Sequence, residues 1–220
     1  MGMGIDIRNR IARRAAQEIN DGMIVNLGIG IPSLVPNHLP DGINVMIHAE
    51  NGIIGIGPSP GKGKEDENLC NAAGYPVTTV SGSSYFDSSI AFGMIRRGYI
   101  DITILGSLQV SEKGDLANWI VPGKRVPGMG GAMELAQKAK KVIVLMNHLD
   151  KHGNSKIVKE CTLPLTSKNC VDLIITDMAV IKVMEDGLHL LEVMSPFTVE
   201  DILTNTSAEL KWDKTITQLS

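Results

Sequence analysis

One glutamate, Glu50, stands between an apolar stretch and an Asn-Gly pair in the segment HAENGIIGIGPSPGKG, residues 48–63. Residues 43–49 have the composition of a β-strand, and Asn-Gly is typical of a tight turn. A carboxylate has a reference pKa of about 4.3, so at neutral pH it is ionised and can act as a nucleophile without a neighbouring base. The pattern fits such a nucleophile, and it also fits a solvated glutamate in a surface turn.

Two glycine-rich turns could supply backbone amides to an anion. NLGIGIP, residues 26–32, follows a predicted strand, and GMGGAMEL, residues 128–135, leads into a predicted helix. Amides at such turns can hold a phosphate or an oxyanion. The first turn lacks the third glycine of the dinucleotide fingerprint, since Ser33 stands there, and it has no phosphate-loop Gly-Lys-Ser/Thr. The alternatives are a purely structural turn and close helix–strand packing.

Other catalytic arrangements are not indicated. The five histidines are isolated, and the i,i+4 pair in HLDKH, residues 148–152, falls in a predicted loop. We therefore predict neither a metal site nor a Ser-His-Asp arrangement. The three cysteines, Cys70, Cys161 and Cys170, are too few for a disulfide framework, which predicts a reducing, cytoplasmic location.

Length and composition predict one soluble globular domain, residues 1–220. The chain has 43% hydrophobic and 20% charged residues and a formal net charge of −3. Its basic residues are scattered, so we expect no nucleic-acid partner and no anionic membrane surface. No run of 18 apolar residues and no apolar signal core occurs, so we expect neither a membrane span nor a targeting segment.

The elements that must position these residues alternate between strand and helix. Residues 6–20 predict a helix, residues 23–27 a strand, and Pro32 the start of a short helix. After the strand at 43–49, residues 51–76 are rich in Gly, Pro and Asn and predict a long surface excursion.

The second half continues the alternation. The predicted strands lie near residues 76–82 and at 101–110, 141–147, 171–183 and 188–194. The predicted helices lie at 88–97, after the second glycine turn, and from Thr198 onwards. Thr198 can cap the last of these helices, and Asp201 stands three residues later. This order predicts an α/β fold with a mostly parallel central sheet and helices on both faces.

Four motifs together resemble the β subunit of the two-subunit, family I coenzyme A transferases, which include the succinyl-CoA:3-oxoacid and acetate/acetoacetate enzymes. They are NLGIGIP at 26–32, AENGIIGIGP at 49–58, LGSLQVSEKGDLANWIVPGK at 105–124 and GMGGAMEL at 128–135. Their order and spacing follow the family over nearly the whole chain. The resemblance implies a CoA-transferase-like, Rossmann-like open sheet.

The resemblance also implies residue roles. The family's catalytic glutamate lies in a Ser-Glu-Asn-Gly motif and falls on Glu50, although Ala49 stands where Ser or Thr is usual. That departure removes a hydroxyl, and we expect it to alter rate or substrate tuning. Gly131 corresponds to the oxyanion amide donor, and Asn26 to an asparagine beside the active site, as an oxyanion donor or positioning residue. The substrate-binding candidates are Gly28, Gly30, Asn51, Gly52 and Gly130.

The implied activity is the transfer of coenzyme A between an acyl-CoA and a carboxylic or 3-oxo acid. It proceeds by ping-pong chemistry through a glutamyl-CoA thioester, with the CoA thioester as substrate and no bound cofactor. The implied partner is a separate α subunit in an α2β2 heterotetramer. The motifs do not select the acyl pair, because one methylene changes the binding free energy by only about 1–3 kcal/mol.

Two alternatives remain open from the residues. One is an acyl-CoA hydrolase on the same scaffold, for which Ala49 is the only supporting feature. The other is a non-catalytic, effector-sensing α/β domain that binds a sugar phosphate at the 26–32 turn.

Overall fold

A computed structural model describes residues 3–123 and 128–219 of the chain. The helices are α1 (Ile5–Ala16), a 3₁₀ helix (Ile31–His38), α2 (Ser88–Arg96), α3 (Ala132–Lys138) and α4 (Val199–Thr204). The strands are β1 (Ile24–Leu27), β2 (Met46–Ala49), β3 (Ile53–Ile56), β4 (Thr79–Tyr85), β5 (Ile102–Gly106), β6 (Gln109–Ser111), β7 (Leu116–Ala117), β8 (Lys141–Leu145), β9 (Ile157–Val158), β10 (Leu173–Ile175), β11 (Ala179–Met184), β12 (Gly187–Met194) and β13 (Leu210–Leu219). The final residue of the 105–124 motif, Lys124, lies outside the described residues.

A ten-stranded sheet organises the fold, in the order β13-β12-β11-β10-β8-β5-β1-β2-β3-β4. The five central strands, β10, β8, β5, β1 and β2, are all parallel, and antiparallel strands extend the sheet on both sides. β6, β7 and β9 form a separate small sheet. The predicted mostly parallel central sheet is confirmed.

Helices cover both faces of this sheet. Ile143 of β8 belongs to one apolar cluster together with Ile11 of α1, whereas the next residue, Val144, belongs to another cluster with Ala136 of α3. Successive strand residues point to opposite faces, so a strand covered on both faces must be apolar at consecutive positions. The sequence of β8, KVIVL, is apolar at its last four positions. The prediction of helices on both faces is therefore confirmed. No helix among the described residues is long and apolar enough to cross a membrane.

The first helix is shorter than predicted because its last turn tightens. α1 ends at Ala16, and the amides of Gln17 and Glu18 then bond three residues back, to the carbonyls of Arg14 and Ala15. This turn directs Glu18 to the ammonium of Lys141, at 2.6 Å. The end of α1 is thereby joined to the central strand β8.

Three predictions were wrong in their bounds, and one of them is the predicted strand 171–183, which forms the two antiparallel strands β10 and β11. Residues 51–76 predict a surface excursion, but residues 53–56 form β3, which pairs antiparallel with β2 and β4. The predicted strand 101–110 is two strands, because the hydroxyl of Ser107 bonds the carbonyl of Gln109 in a turn, and the chain leaves the main sheet there. The sequence patterns do not predict β13.

The predicted cap of the last helix is confirmed. The Thr198 hydroxyl accepts from the Asp201 amide at 3.2 Å, and the Asp201 carboxylate accepts from the Thr198 amide at 2.8 Å. These reciprocal bonds form a capping box at the start of α4.

Candidate active site

The turn after β2 fixes the position of Glu50. β2 ends at Ala49, and the chain reverses through Asn51 and Gly52 into β3. Gly52 has φ of +111°, and a Cβ there would lie 2.0 Å from the Phe86 carbonyl oxygen. Only glycine can occupy this position, so the turn brings the half-buried Glu50 to one defined place at the end of a central strand.

Asn26 holds one oxygen of the Glu50 carboxylate. It lies on β1 directly opposite His48 of β2, and it is 1% exposed. Its Nδ2 donates to Glu50 Oε2 at 3.2 Å and to the His48 carbonyl at 3.2 Å. A buried amide donor therefore contacts the carboxylate from the neighbouring strand.

Gly131 approaches the other carboxylate oxygen. Its φ of −78° and ψ of −2° suit any residue, so the backbone does not require glycine here. A Cβ at this position, however, would lie 3.0 Å from Glu50 Oε1 and 3.0 Å from its Cγ. The Gly131 amide donates to no backbone group among the residues that the structure describes. Glycine thus leaves room for the Glu50 side chain.

These three residues line one pocket of about 930 Å³. Gly28 and Gly130 also line it, whereas Gly30, Asn51 and Gly52 are not among its described lining residues. The Gly28 amide is already bonded to the Ile104 carbonyl at 2.8 Å, so it serves the sheet rather than a ligand.

The surface segment 57–76 forms a wall of this pocket, which the sequence did not predict. Its contribution includes Pro58, Glu65, Ala72 and Tyr75. Asn51, next to Glu50, holds the segment by donating from Nδ2 to the Cys70 carbonyl at 2.8 Å. Among the described lining residues there is no lysine or arginine.

His48 also belongs to the site, although the sequence analysis did not single it out. It is 1% exposed, lines the pocket, and its Nδ1 lies 3.3 Å from Asn26 Nδ2. Burial lowers the pKa of His48 below its ordinary value, against the opposing effect of Glu50, so the ring is neutral at pH 7. A signal was available, since strand alternation places His48 and Glu50 on one face.

The HLDKH pair does not form a metal site. His148 is fully buried, with Nδ1 3.1 Å from Thr176 Oγ1 and Nε2 2.9 Å from Thr206 Oγ1, whereas His152 is exposed. In the described part of the chain, no cluster of three His, Cys, Asp or Glu side chains could hold a metal ion.

The first glycine turn leads into a 3₁₀ helix rather than an α-helix. Gly30, with φ of +93°, precedes it, and the Gly30 carbonyl accepts from both the amide and the hydroxyl of Ser33. Two amides at this turn are therefore already bonded within the protein, those of Gly28 and Ser33.

Comparisons with known proteins agree with the sequence resemblance. Residues 8–205 match the family model described as Coenzyme A transferase. The β subunit of a probable coenzyme A transferase from Bacillus subtilis (strain 168) is 62% identical over 97% of this chain and 98% of its own length. One subunit of a probable succinyl-CoA:3-ketoacid coenzyme A transferase from the same organism is 52% identical over 93% of this chain and 94% of its own length.

A solved structure supports the fold. The apoenzyme of an acyl-CoA transferase from Escherichia coli O157:H7 superposes on the whole chain with a TM-score of 0.78, at 21% sequence identity. The superposition covers 44% of that longer chain. At this level of identity the likeness concerns the fold alone.

Proposed function

We propose that this chain, which belongs to the coenzyme A transferase family, is the subunit that carries the nucleophile of the reaction. The proposed nucleophile is Glu50. The reaction moves coenzyme A from an acyl-CoA to a carboxylic or 3-oxo acid. The observation that carries the proposal is the position of the Glu50 carboxylate in the pocket, between the Asn26 amide on one side and Gly131 on the other.

The chemistry balances without a cofactor. The Glu50 carboxylate attacks the thioester carbonyl of the donor, which forms an acyl-glutamyl anhydride and expels CoA thiolate. The thiolate then attacks the glutamyl carbonyl, which forms a glutamyl-CoA thioester and releases the donor acid as its carboxylate. An acceptor carboxylate reverses both steps, so the kinetics are ping-pong.

Each of these steps passes through a tetrahedral oxyanion that needs a hydrogen-bond donor. The Gly131 amide lies beside Glu50, and Asn26 Nδ2 lies 3.2 Å from Oε2. One well-placed donor lowers such a barrier by about 3–4 kcal/mol. We assign the Gly131 amide as the hydrogen-bond donor to the oxyanion. We assign Asn26 as the donor to the side chain of Glu50.

A partner subunit would complete the site. The relatives described above are named as subunits, and this pocket is bordered by large apolar side chains that are exposed in the isolated chain. Ile29 is 66% exposed and Tyr75 61%, and both line the pocket. We propose that an α subunit covers this apolar border, supplies the rest of the CoA-binding surface and forms an α2β2 heterotetramer.

Replacing Glu50 by glutamine tests the assignment in the complex with the α subunit. Glutamine keeps the size of the side chain but is a poor nucleophile, so Glu50→Gln lowers kcat by about 10⁴-fold or more with every acyl-CoA tested. A suitable panel is succinyl-, acetyl-, butyryl- and acetoacetyl-CoA, each with and without an acceptor acid.

Glu67→Gln is the matched control, since Glu67 is exposed and is not among the described lining residues. It keeps the parent rate. Transfer by Glu50→Gln at the rate of this control would refute the assignment. CoA released by the parent complex at the full rate without any acceptor would instead identify a hydrolase.

A further inference from the structure

The orientation of the Asn26 side-chain amide is set only by the hydrogen bonds of its Nδ2 atom. Its Oδ1 is buried and has no hydrogen-bond partner among the described residues. Thr103, opposite Asn26 on β5, does not hold it, because the Thr103 hydroxyl also lacks a partner in the described chain. Only the acceptors around Nδ2 therefore decide which way the amide faces.

Those acceptors come from two residues. Asn26 Nδ2 has two hydrogens and lies near three acceptors, which are Glu50 Oε2 at 3.2 Å, the His48 carbonyl at 3.2 Å and His48 Nδ1 at 3.3 Å. One hydrogen serves the carboxylate and the other is shared between the two acceptors of His48. The flipped amide would point Oδ1 at the Glu50 carboxylate and the His48 carbonyl, which is repulsive.

The histidine ring accepts from Asn26 in one of its two neutral tautomers, and its Nε2 is buried with no hydrogen-bond partner among the described residues. Nδ1 can accept from Asn26 only if the ring is neutral and carries its proton on Nε2. The ring is buried and stacks on Phe86, with ring centroids 6.2 Å apart and planes 24° apart. Glu50 is the charged group that acts on it.

We propose that His48 is a positioning residue, whose neutral Nδ1 turns the Asn26 amide so that its NH₂ group faces the Glu50 carboxylate. This inference rests on the proposed function, because it takes Glu50 as the nucleophile. His48 contributes to catalysis through Asn26 and does not react with the substrate. It also makes the site sensitive to acid, because a proton on Nδ1 would place two donors face to face and turn the amide away.

Two variants of His48 separate this role from simple packing. His48→Leu removes the Nδ1 acceptor, and we expect kcat to fall about tenfold, which corresponds to about 1.4 kcal/mol, with KM little changed. His48→Gln retains a neutral acceptor and restores most of kcat. Both are measured in the complex with the α subunit, alongside thermal unfolding, which we expect to change little because leucine suits a buried site.

The pH profile provides a second readout. Protonation of His48 lowers the activity of the parent on acidification, and it occurs below the ordinary histidine pKa of about 6.5 because burial lowers the pKa of this ring. His48→Gln cannot be protonated there, so its profile falls less steeply. An unchanged acid limb would contradict the proposal.

A double-mutant cycle with Asn26→Ala gives the decisive comparison. If His48 acts through Asn26, then His48→Leu costs about tenfold in the parent and nothing further in the Asn26→Ala background. Costs that multiply in the double variant would overturn the proposal, as would equal losses for His48→Leu and His48→Gln. Borohydride trapping of a thioester on Glu50 in the parent tests the proposed function separately, so the two failures are distinguishable.

Discussion

At the scale of single residues, the site depends on how closely Gly131 approaches Glu50. Many glycines in this chain have positive φ, but Gly131 does not, and its backbone angles would accept alanine. What excludes a side chain is the glutamate, whose Oε1 and Cγ would each lie 3.0 Å from the added Cβ. The glycine is therefore required by the active site and not by the fold.

Gly131→Ala should consequently lower activity without lowering stability. The added methyl pushes the flexible Glu50 side chain aside by a few tenths of an ångström. Because a misplacement of about 1 Å costs about 10²-fold in rate, we expect this smaller shift to cost roughly tenfold or less. Gly93→Ala is the matched control, because Gly93 lies inside α2 with nothing within 4 Å of an added Cβ. The control should gain about 0.5–1 kcal/mol and keep its rate.

Steady-state kinetics and urea unfolding of both variants check this prediction. A Gly131→Ala complex with the parent kcat, or one whose chain is destabilised by several kcal/mol, would show that the glycine serves another purpose.

Sequence reasoning identified part of this site. Glu50 and the second glycine turn stood out because a charge beside Asn-Gly and glycines before a helix are unusual local patterns. His48 did not stand out, because its importance comes from Asn26, 22 positions away in the chain. That pairing exists only because β1 and β2 are neighbours in the sheet, and local patterns do not report the order of strands.

At the scale of elements, glycines concealed the hairpin that follows Glu50. β3 contains Gly55, with φ of +85°, and a Cβ there would lie 2.8 Å from the Cα of Ser83 on β4. A glycine inside a strand interrupts the alternation by which strands are predicted, so the local pattern favours a surface segment. The central strand β8 was easier to predict, because burial on both faces makes it continuously apolar after Lys141.

Another element contact joins the end of β8 to α4 through His148. Thr206 Oγ1 donates to the Ile202 carbonyl, so it must accept from His148 Nε2, while Nδ1 faces Thr176 Oγ1. Burial lowers the pKa of His148 to about 4, so the ring is neutral at pH 7.

This contact predicts a pH-dependent stability. The folded pKa of about 4 lies below the unfolded value of about 6.5, so the unfolded chain binds more protons between these values. The contribution is complete above pH 6.5, and about 3 kcal/mol of unfolding free energy is lost as the pH falls to 4. His148→Gln is less stable at pH 7 but has a shallower pH dependence in urea titrations, and an identical dependence would contradict this assignment.

At the scale of the whole molecule, one face of the pocket is left open. Ile29 and Tyr75 are exposed at its border, and the wall formed by residues 57–76 is held to the Glu50 turn through Asn51. The local patterns of this sequence could not reveal that arrangement, because the opening results from how distant segments pack.

Direct detection of a thioester on Glu50 tests the central claim. The complex with the α subunit is incubated with an acyl-CoA and no acceptor, reduced with borohydride, digested and analysed by peptide mass spectrometry. We predict a reduced glutamyl residue at position 50 that an acceptor acid, added before the reductant, prevents from forming. An active complex with no modification at position 50, or with the modification at another residue, would contradict the account.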